Sequence, residues 1–127
     1  KLKFKHYVIL QPTSPLRNYK DIIKSIEKYI KNRSESLFSI SPSLEHPSES
    51  FFFRKNKLCY FHKNKSSLRQ NYKDSFFVNG AIYIFNRKLL KNKKILSNKK
   101  HTTFEMPKIR SIDINDIQDL EIARKLI

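Results

Sequence analysis

The sequence predicts an α/β fold built on a mostly parallel sheet, and three observations predict it. The run HYVILQ (residues 6–11) is a continuous apolar segment of strand length that ends in turn-forming residues, the pattern of a strand buried on both faces. A stretch with helical periodicity follows it. SLFSIS (36–41) then completes a strand, helix, strand unit of the kind that builds parallel sheets.

Each element has a local cause. Pro12 and Pro15 stop the first strand and hold Thr13 and Ser14 in a stiff loop at its carboxyl end. Asn18 suits a helix N-cap, Asp21 lies near the positive end of the helix dipole, and Ile22, Ile23, Ile26, Tyr29 and Ile30 recur at helical spacing. Residues 42–74 are irregular and polar, with short strand candidates at 50–54 and 57–61, and read as an arm leaving the core. In SFFVNGAIYIF (75–85) two apolar blocks flank Asn79 and Gly80, and a glycine inside a strand marks a bend or a close backbone approach. A short helix is expected over 87–90, then a lysine-rich loop, then a strand at RSIDIND (110–116). Asp116 caps a last helix whose buried stripe is expected to run through or beside Ile117, Leu120, Ala123, Arg124, Leu126 and Ile127.

With 127 residues, 39% of them hydrophobic, the chain is expected to be one domain or part of one. Its apolar runs are only strand-sized and its start carries no secretion-signal pattern, so neither a membrane span nor export is expected. Cys59 is the single cysteine, which rules out an internal disulfide and a CxxC metal site and favours a reducing, cytoplasmic setting. The net charge of +16 raises nucleic-acid binding. The lysines are spread along the whole chain, however, and a solvated basic surface accounts for them better. Gly80 is the single glycine, so a self-contained GxGxxG fingerprint or P-loop is excluded.

In an open α/β sheet, ligands bind at the carboxyl ends of strands, which brings forward Gln11, Thr13 and Ser14. The amide both donates and accepts, and the hydroxyls suit sugar or phosphate oxygens. The same loop residues are also ordinary turn formers. Asp113 and Asn115 fall on one face of the predicted strand 110–116. Such a hard-oxygen pair suits Mg²⁺ when a nucleotide supplies the remaining ligands; the competing role, capping the next helix, is already filled by Asp116. Arg69 could grip a carboxylate with its fork, although most arginines in so basic a chain are surface residues. His46, His62 and His101 show no zinc or triad spacing, and Cys59 reads as a small apolar strand residue.

QPTSPLR (11–17), Arg69 with Gln70, NGAIYI (79–84) and SIDIND (111–116) followed by a helix occur in that order. Together they resemble the acylneuraminate cytidylyltransferases, or CMP-sialic acid synthetases, including relatives that activate legionaminic or pseudaminic acid. The resemblance runs from about His6 to the end. It implies a Rossmann-like nucleotide-sugar transferase fold with a small protruding arm. It also implies a reaction in which a nonulosonic acid such as N-acetylneuraminate attacks the α-phosphate of CTP with help from Mg²⁺, releasing pyrophosphate. Carried over by position, Gln11 and Thr13 would contact substrate, Arg69 would face the sugar carboxylate, Asn79 and Tyr83 would line the sugar pocket, and Asp113 would hold metal. Residues 42–74 would be the arm through which a homodimer forms.

Two positions and one missing segment depart from that pattern. Asn115 stands where the family usually has a second Asp, and Glu49 falls near a sugar-binding Lys of some members. The family's amino-terminal strands, with their basic, glycine-bearing nucleotide loop, have no counterpart. The expectation is therefore a partial domain that cannot make CMP-sugar alone. The alternative is a non-catalytic remnant acting as a dimerising or sugar-binding module.

Overall fold

The computed structural model describes residues 4–61, 72–92 and 100–127. Its elements are β1 (His6–Leu10), α1 (Tyr19–Lys31), β2 (Ser36–Pro42), β3 (Phe51–Arg54), β4 (Lys57–Tyr60), β5 (Phe76–Asn86), α2 (Arg87–Asn92), β6 (His101–Glu105) and α3 (Ile117–Lys125), with 3₁₀ turns at Pro47–Glu49 and Lys108–Arg110. The chain divides into two compact units, one made of Lys1–Ser41 with Val78–Ile127 and the other of Pro42–Phe77.

The first unit holds a four-stranded sheet in the order β1-β5-β2-β6. β1 and β5 pair antiparallel, from His6 opposite Asn86 to Leu10 opposite Ile82. β2 and β6 pair parallel, from Ser36 opposite His101 to Ile40 opposite Glu105. β5 runs against β2 as well: Asn86 N–H donates to Glu35 C=O at 2.9 Å, while four residues further along β2 the Ser39 hydroxyl meets Ile82. The sheet is thus mixed, with one parallel pairing, and the expected mostly parallel sheet is corrected. The strand, helix, strand unit exists, but β5 inserts between β1 and β2 and opposes both, so the two strands of that unit are not neighbours.

The position of β1 corrects a second expectation. Among the described residues it pairs with β5 alone, and Val8, Ile9 and Leu10 are exposed rather than buried on both faces. An apolar run records what a strand can tolerate on its faces; it does not record how many neighbours the sheet supplies. RSIDIND is no strand either: Arg110 ends the Lys108–Arg110 turn and residues 111–115 have no regular structure, while the fourth strand is HTTFE, which is too short and polar to announce itself.

α1 begins with a capping box. Asn18 Oδ1 accepts from Asp21 N–H at 3.0 Å, and Asp21 Oδ2 accepts from Asn18 N–H at 3.1 Å, which satisfies two of the donors a helix start leaves open. Tyr29 is buried, and Ile22 and Ile26 pack beside it on a core of Leu37, Ala81, Ile82, Ile84 and Met106. Ile23 and Ile30, expected on the same stripe, are exposed. Burial pushes the Tyr29 phenol above its ordinary value, with Glu35 adding to the shift, and the Tyr29 hydroxyl lies 2.9 Å from His6 Nδ1. In α3, capped by Asp116, Ala123 is buried while Ile117, Ile122, Leu126 and Ile127 are exposed, so most of the expected stripe is not in the core.

In the second unit β3 and β4 form an antiparallel hairpin from Phe51 opposite Tyr60 to Arg54 opposite Lys57. Lys55 and Asn56 between them both have positive φ, 48° and 61°, as a two-residue type I′ turn requires. Phe51, Phe52, Phe53, Leu58, Tyr60 and Phe61 are all exposed. Among the described residues no helix is long and apolar enough to cross a membrane.

Candidate active site

The loop QPTSPLR leaves β1 as two successive turns, with Ser14 N–H donating to Gln11 C=O and Arg17 N–H to Ser14 C=O, both at 3.4 Å. The prolines between them preset φ for such turns. Arg17 closes the loop from its other side: one guanidinium nitrogen donates to Gln11 C=O at 3.0 Å and to Ala81 C=O at 2.8 Å. The loop is thereby fastened to β5, next to Gly80. Thr13 is exposed at the loop surface, whereas Ser14 is turned inward with its hydroxyl buried and unpartnered among the described residues.

Gly80 explains how Gln11 is placed. Its φ is +75°, and a Cβ built there would land on Gln11 Oε1, with the Tyr83 hydroxyl 3.9 Å from the same point. Glycine tolerates the left-handed backbone and leaves empty the space that the Gln11 carboxamide occupies. Tyr83, three residues along β5, has its phenol pushed above its ordinary value, first by burial and then by the negative charge of Asp113. Gln11, Tyr83 and Asp113 therefore share one end of the sheet unit, with Thr13 beside them through a 2.8 Å bond from Ile114 N–H to Thr13 C=O.

Asn79 occupies a different place from the pocket wall expected of it. It is only 3% exposed, and its amide is spent internally. Oδ1 accepts from the Ser39 hydroxyl at 2.5 Å and from Ala81 N–H at 3.2 Å, and Nδ2 donates to Ser111 Oγ at 2.8 Å, with Met106 Sδ at 3.7 Å. It ties β2, β5 and the segment leading to Asp113 together from within. Arg69 lies outside the described residues. Glu49 sits in the 3₁₀ turn of the second unit.

Whether Mg²⁺ suits this site can be judged from Asp113 and Asn115. Asp113 Oδ1 is buried with no hydrogen-bond partner among the described residues, and an orphaned carboxylate oxygen calls for a cation or a donor. Asn115 Nδ2 donates to Asp113 C=O at 3.2 Å, which leaves the Asn115 amide oxygen as the group that could accept or ligate. The two do not share a strand face, because there is no strand here; a local turn brings them together. Among the described residues no three His, Cys, Asp or Glu side chains cluster as a metal site. That donor set fits Mg²⁺, which retains waters and substrate oxygens when the protein offers one or two ligands.

Sequence reasoning missed the supporting residues Arg17, Asp21, Ser39, Arg110 and Ser111. Arg17 was inside a recognised motif, and Arg110 and Ser111 directly precede IDIND, but their partners lie on other elements that no local pattern names.

No family model matches the chain. Relatives do. A pseudaminic acid cytidylyltransferase from Campylobacter jejuni is 32% identical over 127 residues, 97% of this chain and 54% of that protein. A protein of Campylobacter coli named post-translational flagellin modification protein B is 26% identical over 128 residues, all of this chain and 54% of that protein. An N-acylneuraminate cytidylyltransferase from Escherichia coli is 26% identical over 126 residues, 94% of this chain and 29% of that protein. The chain spans about half the length of the first two. Over nearly all of its residues, the chain is thus similar to cytidylyltransferases of pseudaminic and N-acylneuraminic acids.

Proposed function

We propose that this chain supplies the sugar-facing and metal-facing wall of a nucleotidyltransferase that joins CMP from CTP to a nonulosonic acid, pseudaminic or N-acylneuraminic, releasing pyrophosphate. The observation that carries the proposal is the convergence of Gln11, Tyr83 and the orphaned Asp113 oxygen at the end of β1, on a chain whose relatives are named for this chemistry. The Gln11 carboxamide and the Tyr83 hydroxyl offer donors and acceptors to a polyhydroxylated acid, and Thr13 borders them. Arg69 is proposed to face the sugar carboxylate, the usual partner of an Arg fork. Mg²⁺ held by Asp113 and the Asn115 amide oxygen would neutralise charge on the phosphates. With Gly80 committed to Gln11 and no other glycine in the sequence, the triphosphate is expected to be gripped by residues other than these.

The test uses Mn²⁺ in place of Mg²⁺, followed by paramagnetic line broadening in the NMR spectrum of the chain. Resonances of Asp113 and its neighbours should broaden, and Asp113→Asn should weaken the titration by about tenfold or more. Unchanged broadening in that variant would remove Asp113 from the metal site. Pyrophosphate release from CTP and either acid sugar by the chain alone is expected to be absent; release at a measurable rate would show that its nucleotide site is complete.

The second unit is proposed as a dimer contact between two copies. A two-stranded hairpin with exposed aromatic rings along both strands cannot bury them within itself. Sedimentation should show a dimer at micromolar concentration that Phe53→Glu converts to monomer. A parent chain that sediments as monomer would contradict this contact.

A further inference from the structure

Residues 111–115 are neither helix nor strand, yet together with Arg110, the last residue of the preceding 3₁₀ turn, they are fastened to three different elements. Arg110 Nε and Nη2 donate to Asp21 Oδ2 and Oδ1, both at 2.9 Å, which ties it to the start of α1. Ser111 Oγ accepts from Asn79 on β5, and Ile114 N–H donates to Thr13 in the QPTSPLR loop. Backbone outside helices and strands retains much conformational freedom unless other groups hold it. The direction in which Asp113 points is therefore set by these anchors.

The Arg110 anchor differs from the other two in kind. Asp21 is 3% exposed, and its carboxylate serves twice, in the α1 capping box and in the fork–fork pair with Arg110. One buried group thus couples the helix that follows QPTSPLR to the segment that carries Asp113. The planar guanidinium fixes angle as well as distance, which a single hydrogen bond at Ile114 cannot do. The pair holds the Arg110 proton more firmly than usual, the hydrogen bond to Asp21 outweighing the opposing effect of burial. Among the described residues, the Asp21 and Arg110 side chains bond to each other and to the start of α1 rather than to Gln11, Thr13 or Tyr83.

We propose that Arg110 is a positioning residue, acting through Asp21 to hold Asp113 at the metal-facing wall. This rests on the reading of Asp113 given under the proposed function. Arg110→Ala would strand a buried carboxylate and endanger folding, so the informative variants are Arg110→Lys and the double Asp21→Asn/Arg110→Met, which removes both charges while an Asn oxygen can still cap α1. Two readouts are taken on the chain: the Mn²⁺ titration, and amide hydrogen exchange at Ile114 compared with Ile84 in β5.

The double variant is expected to exchange Ile114 about tenfold faster with Ile84 unchanged, and to bind Mn²⁺ about tenfold more weakly. Arg110→Lys should fall between it and the parent. A purely structural role would instead speed exchange at Ile84 and Ile114 together. That result, or unchanged exchange at Ile114 in the double variant, overturns the proposal. If Asp113→Asn leaves the Mn²⁺ titration unchanged, the functional reading fails on its own, and the Ile114 exchange rate still decides whether Arg110 holds the segment.

Discussion

Gly80→Ala is expected to destabilise the sheet unit by about 2–5 kcal/mol, with a fall in Tm on the order of 10 °C. Two costs combine. An alanine at φ +75° meets the left-handed penalty, about 1–2 kcal/mol. Its methyl group also falls where Gln11 Oε1 lies, so the carboxamide must leave, and overpacking of that kind costs about 1–3 kcal/mol. The two parts separate experimentally, because Gln11→Ala removes the colliding atoms. The double variant Gln11→Ala/Gly80→Ala should recover the steric share and retain the backbone share. Thermal unfolding of Gly80→Ala within about 2 °C of the parent would show that β5 can accommodate a side chain at this position. Loss of the Gln11 position should weaken sugar binding as well, so stability and recognition meet at one glycine.

Asn79→Ala should have an effect of similar size, about 3 kcal/mol, for a different reason. The side chain satisfies buried groups on three segments, and its removal leaves Ala81 N–H without its acceptor and Ser39 and Ser111 with one partner fewer. Each buried polar group left unsatisfied costs about 1–3 kcal/mol, with partial relief because Ser39 retains Ile82 and Ser111 retains Pro107 C=O. Asn79→Asp should be no milder. It preserves the acceptor but loses the donor to Ser111 and places a charge at a site that is 3% exposed. Chemical denaturation should report both; an Asn79→Ala chain within about 0.5 kcal/mol of the parent would show that the network is slack.

Much of the local structure was legible because it has local causes. Asn18 and Asp21 announce a helix start three residues apart, Pro12 and Pro15 bound a stiff loop, and Gly80 inside an apolar strand signals a close approach that proves to be Gln11. The failures share a cause too. HYVILQ has the composition of an interior strand, but among the described residues β1 has one neighbour, and neighbour count depends on which distant segments reach it. SIDIND alternates like a strand, yet Ile114 is held by Thr13, Ser111 by Asn79 and the preceding Arg110 by Asp21, and no ladder forms. HTTFE was missed because a short polar segment becomes a strand only when β2 offers it an edge.

The sequence by itself determined the resemblance to the cytidylyltransferases, the capped helix α1, the loop that carries Gln11 and Thr13, and the chemical types available at the site, since these follow from residue identity and short-range geometry. The tertiary structure decided the rest: that β5 separates β1 from β2, that Asn79 works inside the core, and that Arg110 pairs with Asp21 at the start of α1. Asp21 and Arg110 are 89 residues apart in sequence. A contact of that kind has no local signature, because the sheet that closes the distance forms only when all of its strands are present.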